Sequence, residues 1–327
     1  MPLTEPIVFE PLFMERVWGG RHLETVFGKR LPTRGRIGES WEIVDREEAQ
    51  SVVHTGTLRG KTLHELWTDH RAEVFGSSAP ETPRFPLLFK LLDARERLSV
   101  QVHPPAAIAP ELNGEPKTEM WFIVDNDGDG DVFAGLKKGV TREEFEGALH
   151  NGTVEEKIHR VPVKAGDAIF IPSGRVHAIG AGNVIVEVQQ NSDTTYRVFD
   201  WNRVGLDGKA RELHIAESLR SIDFSDFEPE LAERSGNLII ESDYFRVERV
   251  GFDGSAEALP PGEFAIFTCL RGAVECGSMQ FGPGDFFFLP AAMENRELRS
   301  TKERTALLRT TIPTADLATA HRGSGFV

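Results

Sequence analysis

The sequence predicts a mainly β protein, built as two barrels or sandwiches with a small helical insertion. Three observations carry that expectation. Short apolar stretches of strand length recur along most of the chain, Gly and Pro punctuate them, and one such stretch is echoed far downstream.

The clearest strands are FPLLFKLLD (85–93), LSVQVHP (98–104), TEMWFIVD (118–125), DAIFIPSG (167–174) and NVIVEVQQ (183–190). Their size and spacing argue against βαβ units. Two helices have start signals. Thr62 is followed by Glu65 in TLHELWTDH, and Thr141 by Glu144 in TREEFEGALHNG. Each pair can form a capping box, in which either side chain satisfies the other residue's free backbone N–H. The second helix is expected to stop at Asn151-Gly152.

Near Ser221 the composition turns acidic and poor in β-formers (SIDFSDFEPELAERSG), which reads as a linker. Strands then resume in FRVERVGF, FAIFTCLRGAVECG and FGPGDFFFLPAAMENREL. KAGDAIFIPSGRVHAI and GPGDFFFLPAAMENRE share a Gly-Asp, an apolar strand and a Pro at one offset, a weak internal repeat. Where the first copy has His177, the second has Glu294 next to Asn295 and no His. The expected division is a first unit over 1–222 that carries the chemistry and the helical segments. A linker over 223–237, a degenerate second barrel without metal over 238–314 and a tail over 315–327 follow.

Of the 327 residues, 40% are hydrophobic and 27% charged, the balance of a soluble globular protein. The formal net charge of −14 argues against nucleic acid and against an acidic membrane surface. No apolar run has spanning length, and MPLTEPIVFEPLFMERVWGG lacks a basic then apolar leader, so a cytoplasmic location is expected. Cys269 and Cys276 lack metal-ligand spacing and read as free buried thiols of a reduced compartment. An anionic ligand would have to enter a locally positive pocket.

In RLSVQVHPP, Gln101 and His103 alternate with valines and so share one strand face; Lys117 and Glu119 share a face in PKTEMWFIVD. Barrel interiors collect alternate residues from neighbouring strands. His103, Glu119 and His177 can therefore converge as a 2-His-1-carboxylate set, with Gln101 a fourth, neutral ligand. Such a set suits zinc, manganese or iron(II) with positions left open for substrate. The remaining histidines, His22, His54, His64, His70, His150, His159, His214 and His321, read as ordinary surface or core hydrogen-bonders.

The pattern G-D-x-x-x-x-P-x-G-x-x-H from Gly166 to His177 is the second sequence motif of the cupin barrels, so the two barrels are expected to be of the cupin, jelly-roll kind. In the first cupin motif, His-x-His has become Gln101-Val102-His103, and Glu119 comes late. That departure is the arrangement of one family. VWGG, GESWEI, PLLFKLLDARERLSVQVHP, KTEMW, VKAGDAIFIPSGRVHAIG and QQNSDTTYRVFDW, in that order, resemble the class I mannose-6-phosphate isomerases in their short bacterial form. The resemblance runs with gaps over about 9–219 and more loosely through the second barrel.

The resemblance implies that His103, Glu119 and His177 are zinc ligands, that Gln101 matches a ligand seen in the family, and that Arg197 in TTYRVFD is the catalytic arginine. Lys117 and Lys90 match lysines lining the sugar-phosphate site. The implied enzyme is a monomer or homodimer that interconverts mannose 6-phosphate and fructose 6-phosphate through a cis-enediol. Removing a proton beside a carbonyl puts negative charge on oxygen, which a divalent metal stabilises as a Lewis acid. Neutral His and Gln ligands with one Glu leave a net charge of about +1 for that purpose. Arg197 would add a fixed cation or hold the reacting geometry. Lys117, a cation beside a divalent ion, is expected to have a lowered pKa and to be a candidate proton shuttle. Lys117 and Asp193 are the candidates for the base by neighbourhood. Lys90 either lines the site or snorkels from a strand end, and Arg175 is either a phosphate contact or a solvated turn cation.

Rival readings of the same residues are an iron-dependent cupin dioxygenase, a non-catalytic sugar-phosphate-binding sensor, and an isomerase of unphosphorylated aldoses.

Overall fold

Four antiparallel sheets build the protein, and a computed structural model describes residues 3–313 of it. The expected tail over 315–327, residue 314 and His321 lie outside the described residues. The first sheet runs in spatial order β1 (Leu12–Gly20), β2 (Ile37–Ile43), β3 (Leu87–Ala94), β10 (Asn183–Gln190), β5 (Glu119–Asn126) and β8 (Ala168–Ile171). The second runs β11 (Tyr196–Phe199), β4 (Val100–Val102), β9 (His177–Ile179), β6 (Asp131–Leu136) and β7 (Ile158–Pro162). The third runs β12 (Leu238–Glu241), β13 (Arg246–Phe252), β20 (Thr305–Thr311), β15 (Ala265–Arg271) and β18 (Phe286–Leu289). The fourth runs β14 (Ser255–Glu257), β19 (Glu297–Ser300), β16 (Val274–Cys276) and β17 (Met279–Phe281). The mainly β reading therefore holds, as two facing pairs of sheets whose edges stay open and do not close into barrels.

Strand β3 shows why the sheets stack as they do. All eight of its residues are buried, because alternate side chains enter two different cores. Leu87, Phe89 and Leu91 join Phe122, Val186, Ile266, Phe288 and Leu308 in the core that binds the two sheet pairs together. On the opposite face Leu92 joins Trp121, Ile185, Val132 and Ile179 between the first and second sheets. A ring cluster reinforces the junction, with Phe75 edge-on to Phe264 at 5.5 Å and to Phe288 at 5.2 Å.

Both capping boxes are present, opening α2 (Leu63–Asp69) and α4 (Arg142–Asn151), and α4 stops at Gly152 with φ of 70°. No such signal precedes α1 (His22–Phe27), α3 (Arg71–Phe75) or α5 (Ile215–Ser221). These helices are five to seven residues long and have no side-chain cap.

The echoed segments occupy equivalent places. Strands β8 and β18 end the first and third sheets. The preceding Asp accepts a hydrogen bond from the backbone three residues earlier in both, Lys164 N to Asp167 at 2.9 Å and Gly282 N to Asp285 at 2.8 Å. Beyond β18, Glu294 and Asn295 are exposed, and the buried side chain is Arg296, which donates to carbonyls of Leu259, Pro290 and Met293. Cys269 and Cys276 are free and buried, and burial pushes each thiol up to about 12.

The acidic segment after Ser221 is irregular and is strapped to the first sheet pair. Leu136 N donates to Asp226 O and Glu228 N to Leu136 O, both at 2.9 Å, and Ala232 N donates to Ala168 O at 2.8 Å.

Candidate active site

Across the interface of the first sheet pair, the first sheet delivers one candidate ligand and the second delivers two. Glu119 is the first residue of β5, His177 the first of β9, and His103 follows the end of β4. Strand β4 is shorter than the sequence alternation suggests, since Pro104 and Pro105 cannot continue a ladder. His103 Nε2 lies 3.6 Å from Glu119 Oε2, and His177 Nε2 lies 3.5 Å from Glu119 Oε1. All three side chains are buried, and their candidate ligand atoms lie within 4.8 Å of one another.

Backbone carbonyls set the tautomers. His103 Nδ1–H donates to Thr194 O and His177 Nδ1–H to Arg175 O, both at 2.8 Å. Each Nε2 is thereby left as a bare lone pair aimed at Glu119. Burial, then the Lys117 charge, pushes His103 down to about 3, and burial likewise lowers His177. Both rings are neutral. Burial works against ionising Glu119, but the Lys117 ammonium at 2.8 Å outweighs it and holds the carboxyl well below its usual range. Both Nε2 atoms and Glu119 Oε1 are buried with no hydrogen-bond partner. Orphaned acceptors of this kind call for an electrophile between them. Two neutral imidazoles and one carboxylate are a divalent-metal donor set.

Gln101 stands opposite His177 across β4 and β9, and opposite Arg197 across β4 and β11. It opens onto a cavity of about 400 Å³ whose wall also includes Lys90, Lys117, Glu187, Asp193 and Arg197. The structure thus brings every proposed site residue to the triad or to one cavity. His103, Glu119 and His177 meet that cavity through Lys117 and Gln101.

Lys90 does not snorkel. It is buried, with Nζ 3.1 Å from Glu187, 4.0 Å from Glu39 and 5.2 Å above the Trp41 ring. Arg175 is neither a phosphate contact nor a solvated cation. Its guanidinium forks onto Asp226 with two bonds of 2.7 Å, and it also donates to Phe170 O. For Lys117 the expected lowering is reversed in the chain's own field. Burial pulls it down, but Glu119 and Glu187 outweigh burial and hold it above its ordinary value.

Sequence reasoning missed the carboxylates of the wall, Glu39 and Glu187, and the cations Arg16 and Arg211. Glu187 had a signal: it interrupts the apolar strand NVIVEVQQ, and its register partner is Lys90. Trp121 Nε1 also donates to it, at 3.0 Å. Glu39 had none, because its pairing with Arg16 at 3.0 Å spans two strands separated by α1 and a loop. Several of the other histidines pair within the fold. His22 meets Asp93 at 3.1 Å, His64 meets Asp45 at 3.2 Å, and His214 Nδ1 accepts from Arg197 N.

Three comparisons agree with this geometry. A family model, phosphomannose isomerase type I, catalytic domain, matches residues 8–117. The chain is 39% identical to mannose-6-phosphate isomerase ManA of Bacillus subtilis, over 92% of this chain and 98% of that one. It is 34% identical to the mannose-6-phosphate isomerase of Streptococcus mutans, over 90% and 95% of the two chains. Among solved structures, the crystal structure of the mannose 6-phosphate isomerase from Bacillus subtilis superposes with a TM-score of 0.83 at 33% identity, covering 94% of this chain and all of that one.

Proposed function

The chain belongs to the type I phosphomannose isomerases, and from that premise we propose that His103, Glu119 and His177, completed by Gln101, hold one zinc ion beside the substrate cavity. The reaction is the interconversion of mannose 6-phosphate and fructose 6-phosphate. The observation that carries the metal assignment is the convergence of two bare Nε2 lone pairs on a buried, ionised Glu119.

When bound, a divalent ion supplies Lewis-acid stabilisation of the negative charge that builds on the substrate oxygens. The chain's own side chains do the rest. Thr194 and Arg175 carbonyls fix the imidazoles so that no rotation is needed during the reaction. Arg197 sets a permanent positive charge in the cavity wall, where it stabilises enediolate character and holds the sugar chain extended. Lys117 and Lys90 present ammonium groups to the sugar oxygens from buried ion pairs, so their positions are fixed before substrate arrives. Lys117 and Asp193, both in the cavity wall, are the candidates to carry the proton between C1 and C2.

The division into a catalytic unit over 1–222, a linker over 223–237 and a second unit from 238 that binds no metal is part of the same proposal. It is supported by strand membership, since the first sheet pair uses only strands before residue 200 and the second only strands from 238 on. No helix among the described residues is long and apolar enough to cross a membrane. We place the enzyme in the cytoplasm as a monomer or homodimer.

A coupled assay with fructose 6-phosphate tests the reading. Turnover should disappear on chelation and return with added zinc. A chelated protein that keeps its full rate, with no metal bound, would overturn the metal assignment.

A further inference from the structure

Strand β10 ends in two glutamines whose amides have different tasks. Gln190 continues the ladder to β5, its N–H donating to Thr118 O at 3.0 Å and its Oε1 accepting from Thr118 N at 2.8 Å. Thr118 precedes Glu119, so this end of β10 anchors the strand that carries the carboxylate. Gln189 is fully buried and is the register partner of Glu119. Directly opposed residues of an antiparallel pair share a face, so Gln189 lies on the same side of the sheet as the triad's carboxylate. Glu187, two residues earlier on that face, stands in the cavity wall.

The Gln189 Nε2 gives both hydrogens to backbone carbonyls, Gln190 O and Ser192 O, each at 2.7 Å. Turning the amide over would set Oε1 against those two oxygens, so the donors fix its orientation. In that orientation Oε1 is buried without a partner. A side chain kept only to fill space would be better apolar, because an unpaired buried acceptor opposes folding. What the glutamine supplies in return is a fixed Ser192–Asp193 peptide. Ser192 is itself buried, and Asp193 stands in the cavity wall. Thr194, the next residue, offers the carbonyl that accepts from His103 Nδ1 at 2.8 Å.

We propose that Gln189 is a positioning residue for the metal centre. By clamping the segment 190–194 it holds the Thr194 carbonyl against His103, and so sets the aim of His103 Nε2 and the affinity of the triad for its ion. The register pair of Gln189 with Glu119 lets one strand end space the imidazole from the carboxylate. The proposal rests on the metal assignment above, and Gln189 acts through His103 rather than on the substrate.

The test uses the full chain with isotope-labelled histidine, as wild type, Gln189→Met and Gln189→Asn. Methionine keeps the length and volume without a donor, and asparagine keeps the amide but draws it back by one methylene. Zinc affinity is read by competition with a chelator. The Nδ1–H protons of His103 and His177 are read by NMR of the metal-free protein. In Gln189→Met the zinc dissociation constant should rise roughly tenfold to a hundredfold, the scale of a disturbed outer partner. The His103 Nδ1–H signal should move alone, since His177 is held by the Arg175 carbonyl, outside the clamped segment. Gln189→Asn should shift both readings in the same direction, and it serves where the methionine variant fails to fold. The control is Asn183→Leu at the opposite end of β10. Asn183 is another buried amide that donates to two carbonyls, Asp131 O and Gly180 O, with its Oδ1 unpaired. Its variant should lose stability and keep wild-type zinc affinity. Unchanged zinc affinity in Gln189→Met, equal movement of both ring signals, or the same loss of affinity in Asn183→Leu would overturn the role of Gln189. A wild-type protein that binds no zinc would instead sink the metal assignment beneath it.

Discussion

Lys90 and Glu187 face each other in register across β3 and β10, with Nζ 3.1 Å from Oε2 and both side chains about 5% exposed. The pair stands in the wall of the cavity, where Trp121 takes the second oxygen of Glu187 and Trp41 lies beneath the ammonium. An ion pair buried this deeply holds the lysine in place more than it adds to stability.

Removing one partner should therefore cost more than removing both. Lys90→Met leaves Glu187 as an uncompensated buried charge, and urea denaturation should show a loss of roughly 3–5 kcal/mol. Adding Glu187→Leu to Lys90→Met should restore part of it. A single mutant within about 1 kcal/mol of wild type would mean that the pair behaves as a surface bridge.

His177→Ala removes one of the two bare lone pairs aimed at Glu119. Metal content by mass spectrometry and turnover should fall together, by more than the roughly 10–100-fold that disturbing a ligand's outer partner costs. A variant with a full complement of metal would show that His177 is not a ligand.

Arg197→Ala should separate binding from rate. Because Arg197 contacts the cavity and not the triad, metal content should stay at wild-type level while kcat falls by roughly 10²–10³-fold. Normal turnover in this variant removes Arg197 from the chemistry.

Glu39 supplies a pH signature. Burial opposes its ionisation, but Lys90 and Arg16 outweigh burial and bring it down to about 2. Between that value and its unfolded value of about 4.3 the unfolded chain binds more protons than the folded one. Glu39 therefore stabilises the fold fully above that window and loses its effect as pH falls through it, a change of roughly 3 kcal/mol. Stability measured against pH should fall less steeply between about pH 4.3 and 2 in Glu39→Gln than in wild type. Parallel curves would show that the carboxyl is not held ionised by its neighbours.

Much of this protein was legible in one dimension. Capping at Thr62 and Thr141 depends on residues three apart, and the Gly-Asp turns before β8 and β18 depend on four consecutive residues, so both can be read directly from the chain. The short helices α1, α3 and α5 could not, because tertiary packing rather than local capping holds them. The candidate ligands Gln101, His103, Glu119 and His177 came from strand alternation and from resemblance to a known family.

What the chain by itself determined was the residue types of the site, the strand and turn pattern that carries them, and the family. Only the tertiary structure decided their charge states and duties. Lys90 is occupied because Glu187 arrives from a strand about a hundred residues away, and Arg175 is spent on Asp226 in the acidic segment after Ser221. Arg203 and Arg211 share Asp200, and Arg197 donates instead to the Glu212 carbonyl. Coulomb energies fall off with distance in space and take no account of separation along the chain, so which cation is left for an anion is settled only when the strands meet.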